Sequence, residues 1–199
     1  MGVILFDSQF DDKHRVLHNK LGITDADKLE AHIARLSFFR VAELEVKPLP
    51  GDFNIHHLRS IHRHIFQDIF PWAGDFREVT TSRTNSFGFP PPNLLEPSLN
   101  TLFTALRAEN HLKKLSRETF ATRAAYYLGE LNAIHPFREG NGRAQREFIR
   151  TLALHAGHPI SWKNLTQEEN NHASRISFAT GDTTLLVAIL RKCLLPENA

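Results

Sequence analysis

The sequence predicts an all-α domain that carries one short β-hairpin. Apolar residues recur at helical spacing in most segments, as at Leu29, Ile33 and Leu36. Prolines close several of these segments, and only the stretch from Arg77 to Pro92 changes to a β-prone pattern. A chain of 199 residues with 41% apolar content can bury one substantial core, so we expect a single domain over residues 1–199.

Capping residues and prolines place the helix ends. Thr24 and the acidic residues after it are typical of a helix start, and this long helix ends before Pro48. The next helix is expected from about Asn54 to Ile69, because Pro71 cannot continue it. Further helices are predicted at about 94–112, 117–134, 142–156, 166–179 and 183–194.

The stretch 77–92 is expected to form the hairpin. Val79, Thr80 and Thr81 favour a strand, and residues 85–88 favour a turn. A two-stranded hairpin is marginally stable by itself, so it must pack against the helices.

Composition excludes several classes of protein. The 24 basic residues barely exceed the 22 acidic ones, which disfavours nucleic-acid binding. The single cysteine leaves no disulfide framework. The N-terminus lacks the basic region of a signal peptide, and no apolar run approaches the roughly 18 residues of a membrane span. These features favour a cytoplasmic protein without membrane or nucleic-acid partners.

Histidines are numerous, but their pattern does not favour a metal site. Four of them crowd one segment: His56, His57, His62 and His64. His57 shares a helical face with Leu58 and Ile61, and no cysteine or carboxylate recurs there at ligand spacing. We expect these histidines to lie in the core or on the surface.

One loop between two predicted helices, residues 135–146, concentrates the groups that chemistry requires. Gly140 and Gly142 flank Asn141, and the missing Cβ atoms allow positive φ, so that main-chain N–H groups turn toward one point. These donors meet the N-terminus of a helix that begins near Gly142, where a phosphate binds readily. Arg143 and Arg146, at positions i and i+3, add positive charge on one face.

Two further residues give this loop a reaction. The carboxylate of Glu139 would repel phosphate unless a divalent cation lay between them, and Mg²⁺ fits this arrangement. A histidine, with an ordinary pKa of about 6.5, accepts a proton near neutral pH, which makes His135 a candidate base. The loop therefore predicts transfer of a phosphorus-containing group from a nucleotide to an alcohol. A surface turn with solvated charges is the alternative, disfavoured because all these groups share one loop.

Residues 135–146 resemble the signature of the Fic family, H-x-F-x-D/E-G-N-G-R-x-x-R, and match it at every specified position. The resemblance implies the Fic fold and the activity of a protein adenylyltransferase, a nucleotidyltransferase that moves AMP from ATP to a Ser, Thr or Tyr hydroxyl. It implies that His135 deprotonates this hydroxyl, that Glu139 holds Mg²⁺ on the α and β phosphates, and that Phe137 is the buried anchor of the loop.

The same resemblance implies how ATP is held. Asn141 and the amides around Gly140 and Gly142 cradle the phosphates. Arg143 grips the β or γ phosphate, and Arg146 grips the γ phosphate.

Residues 70–77, FPWAGDFR, resemble the W-A-G-x-x-R segment that leads into the family's flap, here about 77–92. In relatives the flap pairs with an extended segment of the target through main-chain hydrogen bonds. Its residues here are Arg83, Thr84, Asn85 and Phe87. Phe87 either clamps the target side chain or packs on the core. Arg83 and Thr84 replace a lysine and a glycine common in relatives, which leaves the target open.

A second segment has a looser resemblance. Asn170, Asn171, His172 and Ser174 are similar to a family helix near the adenine pocket, or they form a polar helix face.

An inhibitory motif of the family has no counterpart in the sequence. In relatives a helix with Ser or Thr, three residues, Glu, and then Gly or Asn pairs its glutamate with the second arginine of the signature. No glutamate here follows Ser or Thr by four positions. The resemblance therefore implies a separate small antitoxin that supplies this helix, with Arg146 as its receptor, or a chain cut from a larger secreted effector that acts in the host cytoplasm.

Other functions stay open from the residues. A relative of the same fold can use UMP, phosphocholine or a terminal phosphate as the donated group, although the retained G-N-G-R run favours AMP. A binding module without turnover would gain nothing from His135, and a nucleic-acid regulator is the weakest alternative. Candidate targets are a type II topoisomerase subunit or, for an effector, a host GTPase.

Overall fold

In the computed structural model, which describes residues 7–81 and 88–196, the chain forms seven α-helices and one two-stranded hairpin within those ranges. The helices are α1 (Ala26–Val46), α2 (Ile55–Phe66), α3 (Leu95–Ala108), α4 (Arg117–Ile134), α5 (Asn141–Ala156), α6 (Gln167–Thr180) and α7 (Thr184–Cys193). In this part of the chain no helix combines the length and the apolar composition that crossing a membrane would take.

The helix starts follow local capping chemistry. The side chain of Asp25 accepts a hydrogen bond from Lys28 N at the start of α1, and Asn54 accepts one from His57 N at the start of α2. Thr166 begins α6 with a full capping box. The predicted positions of the helices are confirmed to within a few residues because these caps are local features of the sequence.

Helix α4 lies at the centre and packs against α3, α5, α6 and α7, while α2 packs between α1 and α5. The side chains of Phe120, Leu131, Phe148 and Leu152 are completely buried where these helices meet. Because α4 and α5 are adjacent in this core, the loop that joins them is held between rigid elements.

The third helix differs from the prediction. It ends at Ala108 rather than near residue 112, and Asn110, His111 and Leu112 all have positive φ. The reversal carries Leu112 into the core, where it is 0% exposed. Burial of this leucine overrides the continued helical pattern of the sequence.

Residues 79–81 of the predicted hairpin form no regular strand, and residues 82–87 of it lie outside the described part of the chain. The two strands of the described residues are β1 (Phe10–Asp11) and β2 (Val16–Leu17), which pair antiparallel and were not predicted. In the flap, Phe89 N donates to Thr81 O at 3.0 Å, and the carbonyls of Val79 and Pro90 accept hydrogen bonds from the side chain of Arg77. The predicted flap residues Arg83, Thr84, Asn85 and Phe87 lie outside the described residues.

Candidate active site

The predicted loop begins where α4 ends. His135 is the C-cap of α4 with φ 48° and ψ 60°, a left-handed conformation that is unfavourable for a residue with a side chain. Its N–H donates to Leu131 O at 3.0 Å, and its ring stacks on Phe89 with centroids 4.1 Å apart. The returning arm of the flap thus lies directly on the candidate base.

A side-chain bridge closes the loop. Phe137 N donates to Asn141 Oδ1 at 2.9 Å, and Asn141 Nδ2 donates to Phe137 O at 2.7 Å. Both residues are buried, Phe137 to 1% exposure. The side-chain amide of Asn141 therefore braces the loop, so a contact with phosphate falls to its main-chain N–H at the start of α5.

The two glycines meet different needs. Gly140 has φ 79° and is the N-cap of α5, and a Cβ at this position would lie 2.1 Å from Cζ of Phe66. Gly142 lies inside the helix without positive φ, and a Cβ there would lie 3.2 Å from an Nη atom of Arg146. Positive φ, which either glycine would allow, occurs only at Gly140, whereas Gly142 leaves room for the guanidinium group of Arg146.

Arg143 is tied to both the loop and the first helix. Its Nη2 atom lies 3.0 Å from Glu139 Oε1, and its Nη1 atom donates to Ser37 Oγ at 2.7 Å. The guanidinium also lies over the ring of Phe66, 4.9 Å from its centroid. These contacts hold Arg143 in place before any nucleotide binds.

Arg146 has a different environment. No ion pair of the described residues includes its side chain, although it is half-buried in the cleft. Burial lowers the pKa of the Arg146 guanidinium, and the nearby charge of Arg143 lowers it further. An arginine nevertheless stays charged at neutral pH. A half-buried cation of this kind can pair with an anion that enters the cleft.

Glu139 can accept a cation. Its Oε1 atom accepts hydrogen bonds from Gly140 N at 2.8 Å and from Arg143, and these are the hydrogen bonds of its carboxylate within the described residues. The other carboxylate oxygen could hold a hard divalent cation, which would neutralise phosphate charge. The donor set therefore fits Mg²⁺.

These residues line one cleft of about 1070 Å³, which is bordered by α1, α4, α5, α6 and the loop. His135, Glu139, Arg143 and Arg146 all face it. On the side of α6 it is lined by Trp162, Asn170, Asn171 and Ser174. His172 borders a separate groove between α6 and α7, so the predicted polar set divides between two faces.

Arg77 supports the loop from the flap side. It is only 2% exposed and donates to His135 O and Val79 O, each at 2.9 Å, and to Pro90 O at 2.5 Å. Its main-chain N–H donates to Pro136 O. Burial lowers the pKa of this guanidinium, whose charge lies at the negative end of α4. One side chain therefore joins the end of α4 to both arms of the flap.

We expect Arg77→Lys to lower the free energy of unfolding by about 2–4 kcal/mol, because one ammonium cannot reach three divergent carbonyl groups and leaves some of them unpaired. Urea denaturation measures this change. Arg107→Lys, at an exposed position on α3, is the control and should stay within about 0.5 kcal/mol of the parent. Equal stability of both variants would contradict the assigned role.

The fold and this loop define a class: a helical protein whose cleft brings two arginines, a carboxylate and the N-terminus of a helix together beside a histidine. The sequence matches the model of the Fic/DOC family over residues 52–153, which is about half of the chain. The chain belongs to the Fic/DOC family, and the predicted family is thereby confirmed.

The curated relatives share the name protein adenylyltransferase, although this chain spans well under half of the first of them. The protein adenylyltransferase VbhT of Bartonella schoenbuchensis is 38% identical over 188 residues, which cover 94% of this chain but 39% of VbhT. The probable protein adenylyltransferase Fic of Escherichia coli is also 38% identical, over 89% of this chain and 86% of that protein. The names of these relatives agree with the enzyme class that the sequence predicts.

Solved structures confirm the predicted fold. The effector protein BepC of Bartonella tribocorum, solved with bound AMPPNP, superposes with a TM-score of 0.88 at 26% identity and covers 96% of this chain and 97% of its own. The N-terminal Fic domain of a Bartonella quintana effector, solved with bound ADP, gives a TM-score of 0.90 at 28% identity, with 95% of each chain covered. Both relatives bind an adenine nucleotide.

Proposed function

We propose that this chain transfers AMP from ATP to a Ser, Thr or Tyr hydroxyl of a target protein and releases pyrophosphate. One observation carries the proposal: the loop 135–146 places a base, a carboxylate and two cations around a single cleft. The carboxylate of Glu139 and the cation of Arg143 are already paired, so the phosphates enter a prearranged site.

We propose a task for each residue of the loop. The N–H groups at the start of α5, together with Arg143 and Arg146, bind the phosphates and hold the departing pyrophosphate. Glu139 would hold Mg²⁺, which neutralises phosphate charge when bound. His135 takes the proton of the target hydroxyl, whose oxygen attacks the α phosphorus while the bond to the β-phosphate oxygen breaks.

We propose that the flap presents the target. Phe89 stacks on His135, and Arg77 holds Val79 and Pro90, so the arms of the flap are fixed relative to the base. An extended segment of the target would add to the flap by main-chain hydrogen bonds, with Arg83, Thr84, Asn85 and Phe87 setting the choice of side chains. A type II topoisomerase subunit and a host GTPase are the candidate targets.

Labelled ATP distinguishes the alternatives for donor and target. The purified chain is incubated with bacterial lysate or host-cell lysate, with Mg²⁺ and either ATP or UTP, and mass spectrometry locates the modified residue. We expect AMP on Ser, Thr or Tyr in the ATP sample. If UTP labels protein and ATP does not, UTP is the donor instead of ATP. If the chain binds nucleotide but labels no protein in either lysate, it is a binding module.

We also propose that the enzyme is restrained in the cytoplasm by a small antitoxin carrying the inhibitory helix. The support is Arg146: it faces the cleft, it is half-buried, and no described carboxylate pairs with it. A glutamate from another chain would satisfy this cation and exclude the γ phosphate. If the chain is part of a secreted effector, the same site acts in the host cytoplasm.

Arg146→Ala tests the restraint. We expect co-expression with the protein encoded beside it to give a nucleotide-free complex that Arg146→Ala weakens more than tenfold, because a desolvated charge pair contributes about 2–5 kcal/mol when one partner is removed. Calorimetry without nucleotide measures the affinity. Arg175→Ala on α6 is the control and should bind normally. An isolated chain that is already inactive toward every nucleotide would count against a separate inhibitor.

A further inference from the structure

His62 on α2 is completely buried, and both of its ring nitrogens are hydrogen-bonded to main chain. Nδ1 accepts from Gly74 N at 2.9 Å, and Nε2 lies 3.0 Å from Glu139 O. Because a main-chain N–H only donates and a carbonyl only accepts, Nδ1 is unprotonated and Nε2 carries the hydrogen. Burial lowers the pKa of His62 to about 3, so the ring is neutral at neutral pH.

The faces of the same ring are also in contact. It stacks on Phe137 with centroids 3.8 Å apart and planes 12° apart, and it lies 4.7 Å from the ring of Phe66. Phe137 is the residue that Asn141 braces, and Phe66 fills the space that a Cβ of Gly140 would need. His62 therefore meets the loop both through packing and through a directional hydrogen bond.

We infer that His62 is a positioning residue that holds Glu139 in register with the turn at Gly74. It does not line the cleft, so it acts through the main chain of Glu139. The carbonyl and the carboxylate belong to the same residue, and the carboxylate already has two fixed partners, Gly140 N and Arg143. A displaced carbonyl thus moves the oxygen that would meet the metal ion.

The other end of this link is rigid. Gly74 has φ 90°, and its carbonyl accepts from Arg59 Nε at 2.7 Å. The preceding carbonyl, of Ala73, accepts from Arg63 at 3.2 Å. Arg59, Arg63 and His62 all lie on α2, so the turn at Gly74 is fixed to this helix. His62 links the loop at Glu139 to the same helix and turn.

Two substitutions separate the two hydrogen bonds. His62→Asn places an acceptor near the position of Nδ1 and retains the bond to Gly74, but it cannot reach Glu139. His62→Gln places a donor near the position of Nε2 and retains the bond to Glu139. Both variants lose the ring. If His62 positions Glu139, His62→Asn should nevertheless bind nucleotide less well than His62→Gln.

His57 supplies a matched control on the same helix. It is also buried, with Nδ1 accepting from Phe53 N at 3.3 Å and Nε2 lying 3.2 Å from Leu49 O. None of these partners belongs to the loop. His57→Asn therefore removes the same kind of contact at a comparable depth without affecting Glu139.

Calorimetric titration of AMPPNP at a series of Mg²⁺ concentrations is the main measurement. For His62→Asn we expect the Mg²⁺ concentration for half-maximal binding to rise at least about tenfold, as when a residue that orients a metal ligand is lost. His62→Gln and His57→Asn should stay near the parent. The inference rests on the proposed function only in the choice of AMPPNP as the nucleotide. The proposed function is tested separately, by assaying AMP transfer with the parent protein.

Hydrogen exchange supplies a second readout. His62→Asn should speed exchange of amides in the loop 137–141, whereas His62→Gln should speed exchange at Gly74 and leave the loop protected. If His62→Asn fails to fold, exchange in His62→Gln still decides: faster exchange at Gly74 with a protected loop supports the inference, and faster exchange in the loop overturns it. If His62→Asn folds, a parental Mg²⁺ requirement in it, or equal weakening in His62→Asn and His57→Asn, overturns the inference.

Discussion

Replacing His135 with alanine will lower the rate of AMP transfer by about 10²–10⁴-fold, the usual contribution of a general base. Binding of ATP should change by less than about threefold, because the proposed phosphate contacts are Arg143, Arg146 and the start of α5, which line the cleft, rather than the imidazole. Single-turnover assays with labelled ATP measure the rate, and calorimetry measures the affinity.

His56→Ala is the control for this prediction, since His56 is exposed on α2. It should transfer AMP at the parental rate. A His135→Ala variant that still labels protein as fast as the parent would falsify the assigned mechanism. If His135→Ala loses both ATP binding and AMP transfer, the His135 ring, which stacks on Phe89, is needed for the structure of the cleft.

The second large effect is expected from Gly140→Ala, which should lower the free energy of unfolding by about 3–5 kcal/mol. Two costs add at this position. The backbone has φ 79°, which disfavours any side chain, and the new Cβ would lie 2.1 Å from the buried ring of Phe66. Urea denaturation measures the loss, and the displaced loop should also bind nucleotide poorly.

Gly157→Ala isolates the first of these costs. Gly157 has φ 86°, but a Cβ there meets nothing within 4 Å, so a loss of only about 1 kcal/mol is expected. Phe66→Leu should recover part of the stability lost in Gly140→Ala, because it removes the atoms in the clash. A double-mutant cycle that shows no coupling between positions 66 and 140 would contradict the packing explanation.

Much of the fold could be predicted because its signals are local. The starts of α1 and α2 depend on Asp25 and Asn54, which cap within their own first turns. The loop 135–146 was located in the same way, between two segments with helical spacing. The end of α3 could not be predicted, because it depends on the burial of Leu112 among residues distant in sequence.

The site shows the same division. The sequence showed that either glycine could adopt positive φ. The packing around them decides that Gly140 adopts it, with Phe66 in the space that a Cβ would need, and that Gly142 leaves room for the Arg146 side chain. Likewise, the polar side chain of Asn141 fitted a phosphate ligand by resemblance, whereas in the fold both of its groups bond to Phe137.

The sequence by itself determined the helices, the family and the chemical groups of the loop, since all of these lie within short stretches of chain. Only the tertiary structure decided which distant residues hold that loop. Ser37 is 106 positions from Arg143, and His62 is 77 positions from Glu139, yet each forms a hydrogen bond with it. No periodicity or motif reports such pairs, because they exist only after packing of α1 and α2 has brought those helices against α5 and its loop.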